Sequence, residues 1–182
     1  MILRRLLAIV LLAGAVGTLR GEAIWLDVPF IRQTRNGCGE AAIAMLLQYW
    51  RAHGAAVGAR ETDPARIQQA FAPEDAGGIS ASEMKRYFEQ AGFQAFSFQG
   101  HWEDLSLHLR KGRPLIVALA PAGAGRPLHY AVVAGVDAVR RLVSLNDPAS
   151  RKLLKIDRRR FEQEWSTTGR WTLLAVPLEL SH

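Results

Sequence analysis

The stretch Asn36-Gly37-Cys38-Gly39-Glu40-Ala41-Ala42-Ile43-Ala44-Met45-Leu46-Leu47-Gln48-Tyr49-Trp50-Arg51 decides how the rest of the chain is read. Ala42, Met45, Leu46 and Tyr49 recur at helical spacing, so residues 39–51 are expected to form a long helix. That helix is apolar nearly all round, which assigns it to the core rather than to a surface. The residues before it, Gln33 to Gly37, are polar and end in Asn36-Gly37, a loop signature. Cys38 therefore stands where a loop meets the N-terminus of a buried helix. Unpaired backbone N–H groups and the positive end of the helix dipole favour a sulfur anion there. The same amides can hold a developing oxyanion beside it. The alternatives are a small buried hydrophobe or one half of an intermolecular disulfide.

Cys38 is the single cysteine of the 182-residue chain, so an intramolecular disulfide is excluded. The length suits one domain. A composition 49% hydrophobic and 22% charged excludes a disordered or fibrous protein. The net charge of +6 is modest, and much of it sits in Arg151-Lys152 and Arg158-Arg159-Arg160, read as a solvated helix face. A charge of that size requires no nucleic-acid partner.

The front end is different. Met1-Ile2-Leu3-Arg4-Arg5 precedes an apolar run from Leu6 to Val16, followed by small residues. This is the pattern of a secretory signal peptide, with cleavage expected after Gly17 and the mature domain over 18–182. The run falls short of the roughly 20 residues that span a bilayer, which disfavours an uncleaved anchor. The expected location is secreted or periplasmic, with no stable membrane span after cleavage.

Further along, Trp25 to Phe30 reads as a short extended segment with Pro29 at an edge. Pro64 to Phe71 reads as a short helix capped by Asp63. Ser80-Ala81-Ser82-Glu83 is a capping box opening a helix to about Gln90. A strand from Phe93 and a helix over 102–110 follow. From Pro114 the character changes, with strands expected over 114–120, 129–136, 142–145, 153–156 and 171–176 and a helix over 157–165. Helices first and antiparallel strands afterwards is an α+β pattern, with the helical half packed on a C-terminal antiparallel sheet.

A reactive thiol needs a base. Of five histidines, His53 is at the polar end of the first helix, His182 is terminal, and His101 and His108 flank an amphipathic helix and read as solvated. His129 opens an apolar strand after the Gly/Pro loop at 121–127, poised between solvent and interior. If strands 129–136 and 142–147 form a hairpin centred near residue 138, partners sum to about 276 and His129 faces Asp147; a register one or two residues different would still leave them neighbours at the same end of the sheet. Asp147, or Asn146 beside it, would then orient the imidazole; alternatively Asn146-Asp147-Pro148 is simply a turn. Gln33, in the loop before Cys38, is in place to donate to a substrate carbonyl oxygen as it turns negative.

Taken together, these segments resemble the papain-like cysteine peptidases, and more closely the C39-like branch that includes the double-glycine leader peptidases. The resemblance rests on Leu26-Asp27-Val28-Pro29-Phe30, Gln33, Asn36-Gly37-Cys38-Gly39, His129-Tyr130-Ala131-Val132-Val133-Ala134-Gly135 and Asn146-Asp147-Pro148, spanning roughly 26–176. It implies a papain-like fold, with Cys38 as nucleophile, His129 as general base and acid, Asp147 as orienting acid and Gln33 as oxyanion donor. It implies a peptide or protein substrate, with cleavage after small residues such as Gly, and no metal or organic cofactor. The same chemistry serves an acyltransferase or amidase, and the same cleft serves a non-catalytic peptide-binding module. Glu40 departs from the resemblance, since relatives often carry an uncharged residue there.

Overall fold

The computed structural model describes residues 23–71, 78–121 and 128–179. The expected signal segment at 1–17, the Gly/Pro loop beyond Pro121 and His182 lie outside them. The elements in chain order are β1 (Ile24–Trp25), α1 (Cys38–Ala52), α2 (Pro64–Ala70), α3 (Ala81–Gln90), β2 (Phe93–Gln99), α4 (Trp102–Arg110), β3 (Leu115–Leu119), β4 (His129–Asp137), β5 (Leu142–Asn146), β6 (Leu154–Asp157), α5 (Arg158–Ser166) and β7 (Trp171–Pro177). The strands form one sheet in the order β2-β7-β3-β4-β5-β6, with β1 added against β4. All their pairings are antiparallel. This is an α+β domain.

Local chemistry sets the boundaries. Asp63 Oδ1 accepts from the Ala65 amide at 3.0 Å, satisfying a free N–H at the start of α2. Ser80 and Glu83 form the reciprocal capping box of α3. Asp157 ends β6 and caps α5 by accepting from the Arg160 amide at 3.0 Å.

The sheet is the middle of three layers. Side chains alternate along β4, so Tyr130, Val132 and Ala134 face α1 and α3, packing with Met45, Leu46 and Phe88. Ala131 and Val133 face the other way, toward Leu105 and Leu109 of α4 and Phe161 and Trp165 of α5. Helix α1 is buried along almost its whole length, as its apolar circumference demands. The structure refines the expected layout here, because the helices are divided between the two faces: α1 and α3 lie on one, α4 and α5 on the other. The basic run of α5 is partnered: Arg158 Nε donates to Glu162 at 3.1 Å and Arg160 Nε to Glu164 at 2.8 Å. Each is an i,i+4 pair of modest stabilising value.

Candidate active site

Cys38 is the first residue of α1 and is half-buried. A tight turn delivers it: Asn36 adopts φ 57°, which asparagine tolerates, and the Gly37 amide donates to Thr34 O at 3.1 Å. A Cβ on Gly37 would lie 2.9 Å from Thr34 Oγ1, so a larger residue there would have to turn the Thr34 side chain aside. Gly39 lets the first turn of α1 press on its neighbours, since a Cβ there would sit 3.2 Å from Ile79 Cβ and 3.4 Å from Met84 Cε.

His129 is the first residue of β4, and its Nε2 lies 2.7 Å from Asp147 Oδ1. Burial works against a charged imidazole. Hydrogen bonds to Asp147 and Cys38, with the negative charge of each, outweigh it and raise the His129 pKa to about 9. Asp147 shows the converse balance. Burial disfavours its carboxylate, but the His129 hydrogen bond and charge and the Ala149 and Ser150 amides hold its pKa below the ordinary value. Its Oδ1 accepts from the Ala149 amide at 2.9 Å and its carbonyl oxygen from the Ser150 amide at 3.0 Å, so Asp147 opens a turn over 147–150 and is a histidine partner at the same time, while Asn146 closes β5.

The route to that contact differs from the hairpin expectation. Val132 pairs with Asn146 and Val133 with Leu145, so partner numbers sum to 278, and beyond an irregularity between Val133 and Gly135 they sum to 279. The turn is centred between Val139 and Arg140, with Arg141 at φ 56°, rather than near residue 138. His129 and Asp147 are therefore not ladder partners; the turn after β5 brings the carboxylate back to the ring. Asn146 has a different place. It is fully buried, its Nδ2 donates to Val28 O at 2.9 Å, and its Oδ1 accepts from the Leu153 amide at 3.0 Å.

Gln33 is tied to the same turn through its backbone amide, which donates to Pro148 O at 3.1 Å. It lines a cavity of about 400 Å3 together with His129, Asp147 and the apolar side chains Leu119, Leu145 and Leu154. With Gly37 and Glu40 it also lines a second cavity, of about 320 Å3. Its Oε1 is buried with no hydrogen-bond partner among the described residues. Thus Cys38, His129 and Asp147 come together, and Gln33 borders the His–Asp pair in one cavity and Gly37 and Glu40 in the other.

Of the other histidines, His53 Nδ1 lies 2.7 Å from Tyr49 O at the end of α1, and His101 is exposed. His108, expected to be solvated, is half-buried instead. Burial first, and then the Arg113 charge, lower its pKa. Two further residues are buried more deeply than their polar groups suggest. Tyr130 is 4% exposed, and burial, with the charges of Cys38 and Glu83, raises its pKa to about 12. Glu40, at the second turn position after Cys38, is 9% exposed, and burial raises its pKa too. Among the described residues no cluster of three or more His, Cys, Asp or Glu could hold a metal ion, and no helix is long and apolar enough to cross a membrane.

With this geometry in hand, the profile of the Peptidase_C39 like family matches residues 25–173, most of the chain and the whole of the site. The chain belongs to the Peptidase_C39 like family. Solved structures agree on the fold. A protein of Bacillus anthracis described as a C39-like peptidase is 21% identical with a TM-score of 0.64, over 88% of this chain and 100% of that one. A double-glycine motif protease from an AMS/PCAT transporter, in complex with its leader peptide, is 21% identical with a TM-score of 0.64, over 84% and 94%. The peptidase domain of Streptococcus ComA, a bi-functional ABC transporter of a quorum-sensing pathway, is 21% identical with a TM-score of 0.62, over 81% and 97%. No curated protein matches the chain. The papain-like architecture expected for this C39-like chain is thus the one it has.

Proposed function

We propose that the protein is a cysteine peptidase that hydrolyses peptide bonds through Cys38, His129 and Asp147, with Gln33 assisting. One observation carries the reading: the His129 ring, 2.7 Å from the Asp147 carboxylate, stands between it and Cys38 at the mouth of a buried helix, an arrangement that raises the His129 pKa to about 9. The Cys38 sulfur anion adds to the substrate carbonyl carbon. The Cys38 backbone N–H and the Gln33 amide receive the oxyanion. The C–N bond then breaks, and the leaving amine takes its proton from the His129 imidazolium, leaving an acyl thioester. In that thioester the sulfur is no longer charged, so one of the forces holding the proton on His129 disappears. The ring is then free to take a proton from water as the water attacks. The acid product departs and the sulfur anion returns with its protonated partner.

The substrate is a peptide or protein, cut after small residues such as Gly; support comes from the family and from the leader-peptide complex of a structural neighbour. Export through the basic and apolar segment at residues 1–17 places the reaction in the cell envelope or outside it.

The test is product mass. The purified protein, given a peptide library, yields pairs of shortened peptides; ligated products would mean acyl transfer and bound but intact peptides a recognition module. Cys38→Ser abolishes turnover, and turnover surviving that change overturns the reading. The mass of the protein recovered from a culture medium or periplasmic extract reports removal of the leading segment.

A further inference from the structure

The second cavity that Gln33 borders has an unmet chemical demand. It measures about 320 Å3, within the range of small-ligand clefts, and its lining includes Arg32, Gln33, Gly37, Glu40, Asp63 and Gln68. Glu40 is 9% exposed, and its Oε2 is buried with no hydrogen-bond partner among the described residues. Gln33 Oε1 is in the same condition. Two residues with buried, donorless acceptors line one cavity together with Gly37, and buried acceptors ordinarily have partners.

The neighbouring charges do not meet the demand. Arg32 Nη2 donates to Ser150 O at 3.1 Å, and among the described residues no hydrogen bond or ion pair joins Arg32 to Glu40 or Gln33 Oε1. Asp63 contributes a further acidic group, with Oδ1 committed to the Ala65 amide at 3.0 Å. Burying a carboxylate without a partner is costly, and the raised Glu40 pKa reflects that cost. A group entering from outside with several N–H donors and a positive charge would satisfy both oxygens and favour the ionised carboxylate.

We infer that this cavity is a subsite for a cationic side chain of the substrate, the ammonium of lysine or the guanidinium of arginine, held by Glu40 and Gln33 Oε1 next to the scissile bond. The inference rests on Cys38 being the nucleophile, and on Gln33, which lines both this cavity and the one that holds His129 and Asp147. It adds a charge preference that the surroundings of Cys38, His129 and Asp147 do not themselves impose.

A mass-coded library tests it, with Lys, Arg, Gln, Leu or Glu at each position flanking a small residue. The expected result is Lys or Arg selected at one fixed position, with kcat/KM about tenfold or more above Leu and with Glu least favoured. Glu40→Gln, close in shape, should collapse the Lys-to-Leu ratio to about one, and Glu40→Lys should turn the preference toward Glu. A residue that only supports the fold would lower all peptides together and leave the ratios standing. Should Glu40→Lys fail to fold, the Glu40→Gln ratio alone decides. Cleavage by the wild type with no basic preference, or a preference that survives Glu40→Gln, overturns the subsite and leaves the peptidase reading standing. Absence of any cleavage overturns that reading, and the subsite with it.

Discussion

His129 Nε2 and Asp147 Oδ1 are 2.7 Å apart although the β4–β5 ladder pairs neither with the other. The contact commits one ring nitrogen to the carboxylate, so Nδ1 is the nitrogen left for the Cys38 sulfur. A ring held at one edge by an anion and facing sulfur at the other is fixed in orientation and strongly biased toward the imidazolium. The carboxylate's own geometry is set by the Ala149 amide, which shares Oδ1. Each member is thus positioned by a neighbour that is itself hydrogen-bonded.

The first consequence is spectroscopic. His129 should titrate near pH 9, far above the ordinary histidine value of about 6.5, when followed by imidazole proton or nitrogen NMR. Asp147→Asn and Cys38→Ser each remove an anion from one side of the ring, and each should lower the midpoint by a unit or more, on the order of 1–2 kcal/mol. A midpoint that stays near 9 in both variants would mean that neither group sets it.

Stability should follow the same charges. The His129 pKa is raised above its ordinary 6.5 to about 9 in the folded chain, so its contribution is complete below about pH 6.5 and fades as pH rises through 9. Asp147 is held below its ordinary 3.8, so its contribution is present above about pH 4 and is lost as pH falls through the folded value. The melting temperature should therefore fall on both flanks of a plateau at about pH 5 to 6.5. His129→Gln should flatten the alkaline flank, and thermal melts from pH 4 to 10 on both proteins check it. An unchanged alkaline flank would contradict the coupling.

Gln33 is open to a kinetic test. If its amide meets the oxyanion, Gln33→Ala should lower kcat by about 10²- to 10³-fold, the usual loss for one such donor. The rate of Cys38 alkylation by iodoacetamide, which forms no oxyanion, should fall far less. Equal losses in both assays would mean that Gln33 supports the sulfur rather than the carbonyl oxygen.

Much of this was legible from residue types and spacing. The apolar circumference of residues 39–51 located both the core and the place of Cys38, because a helix with no polar face has only the interior to occupy. Asp63 with Pro64, and Ser80 with Glu83, marked helix starts through hydrogen bonds that are entirely local. What escaped was non-local. The β4–β5 register depended on where the turn closed and on the irregularity between Val133 and Gly135, neither of which alternation encodes. The depth of Glu40 and His108 depended on what packs over them, and a charged or polar letter in a sequence says nothing of that. The choice between Asn146 and Asp147 lay in side-chain direction at a strand end, where neighbours point to opposite sides.

Asn146 provides the last test, because its role is to hold the site's frame rather than to touch a substrate. Its Nδ2 fastens the Val28 carbonyl, at the start of the segment that runs to Gln33, and its Oδ1 fastens the Leu153 amide. Leu153 sits at φ 51°, a conformation costly for a bulky residue unless its surroundings impose it. Asn146→Ala would leave the buried Val28 carbonyl and the part-buried Leu153 N–H unpaired, at about 1–3 kcal/mol each. For a chain of this size that total corresponds to a melting temperature lower by roughly 4–24 °C. Asn146→Asp keeps the shape but sets an acceptor against the Val28 carbonyl, and should destabilise at least as much near neutral pH. Well below the melting point the Asn146→Ala protein should still bring His129 to Asp147, so the imidazole titration near pH 9 persists while kcat falls through the loosened Gln33 segment. A loss of that titration together with activity would instead make Asn146 a direct support of the imidazole.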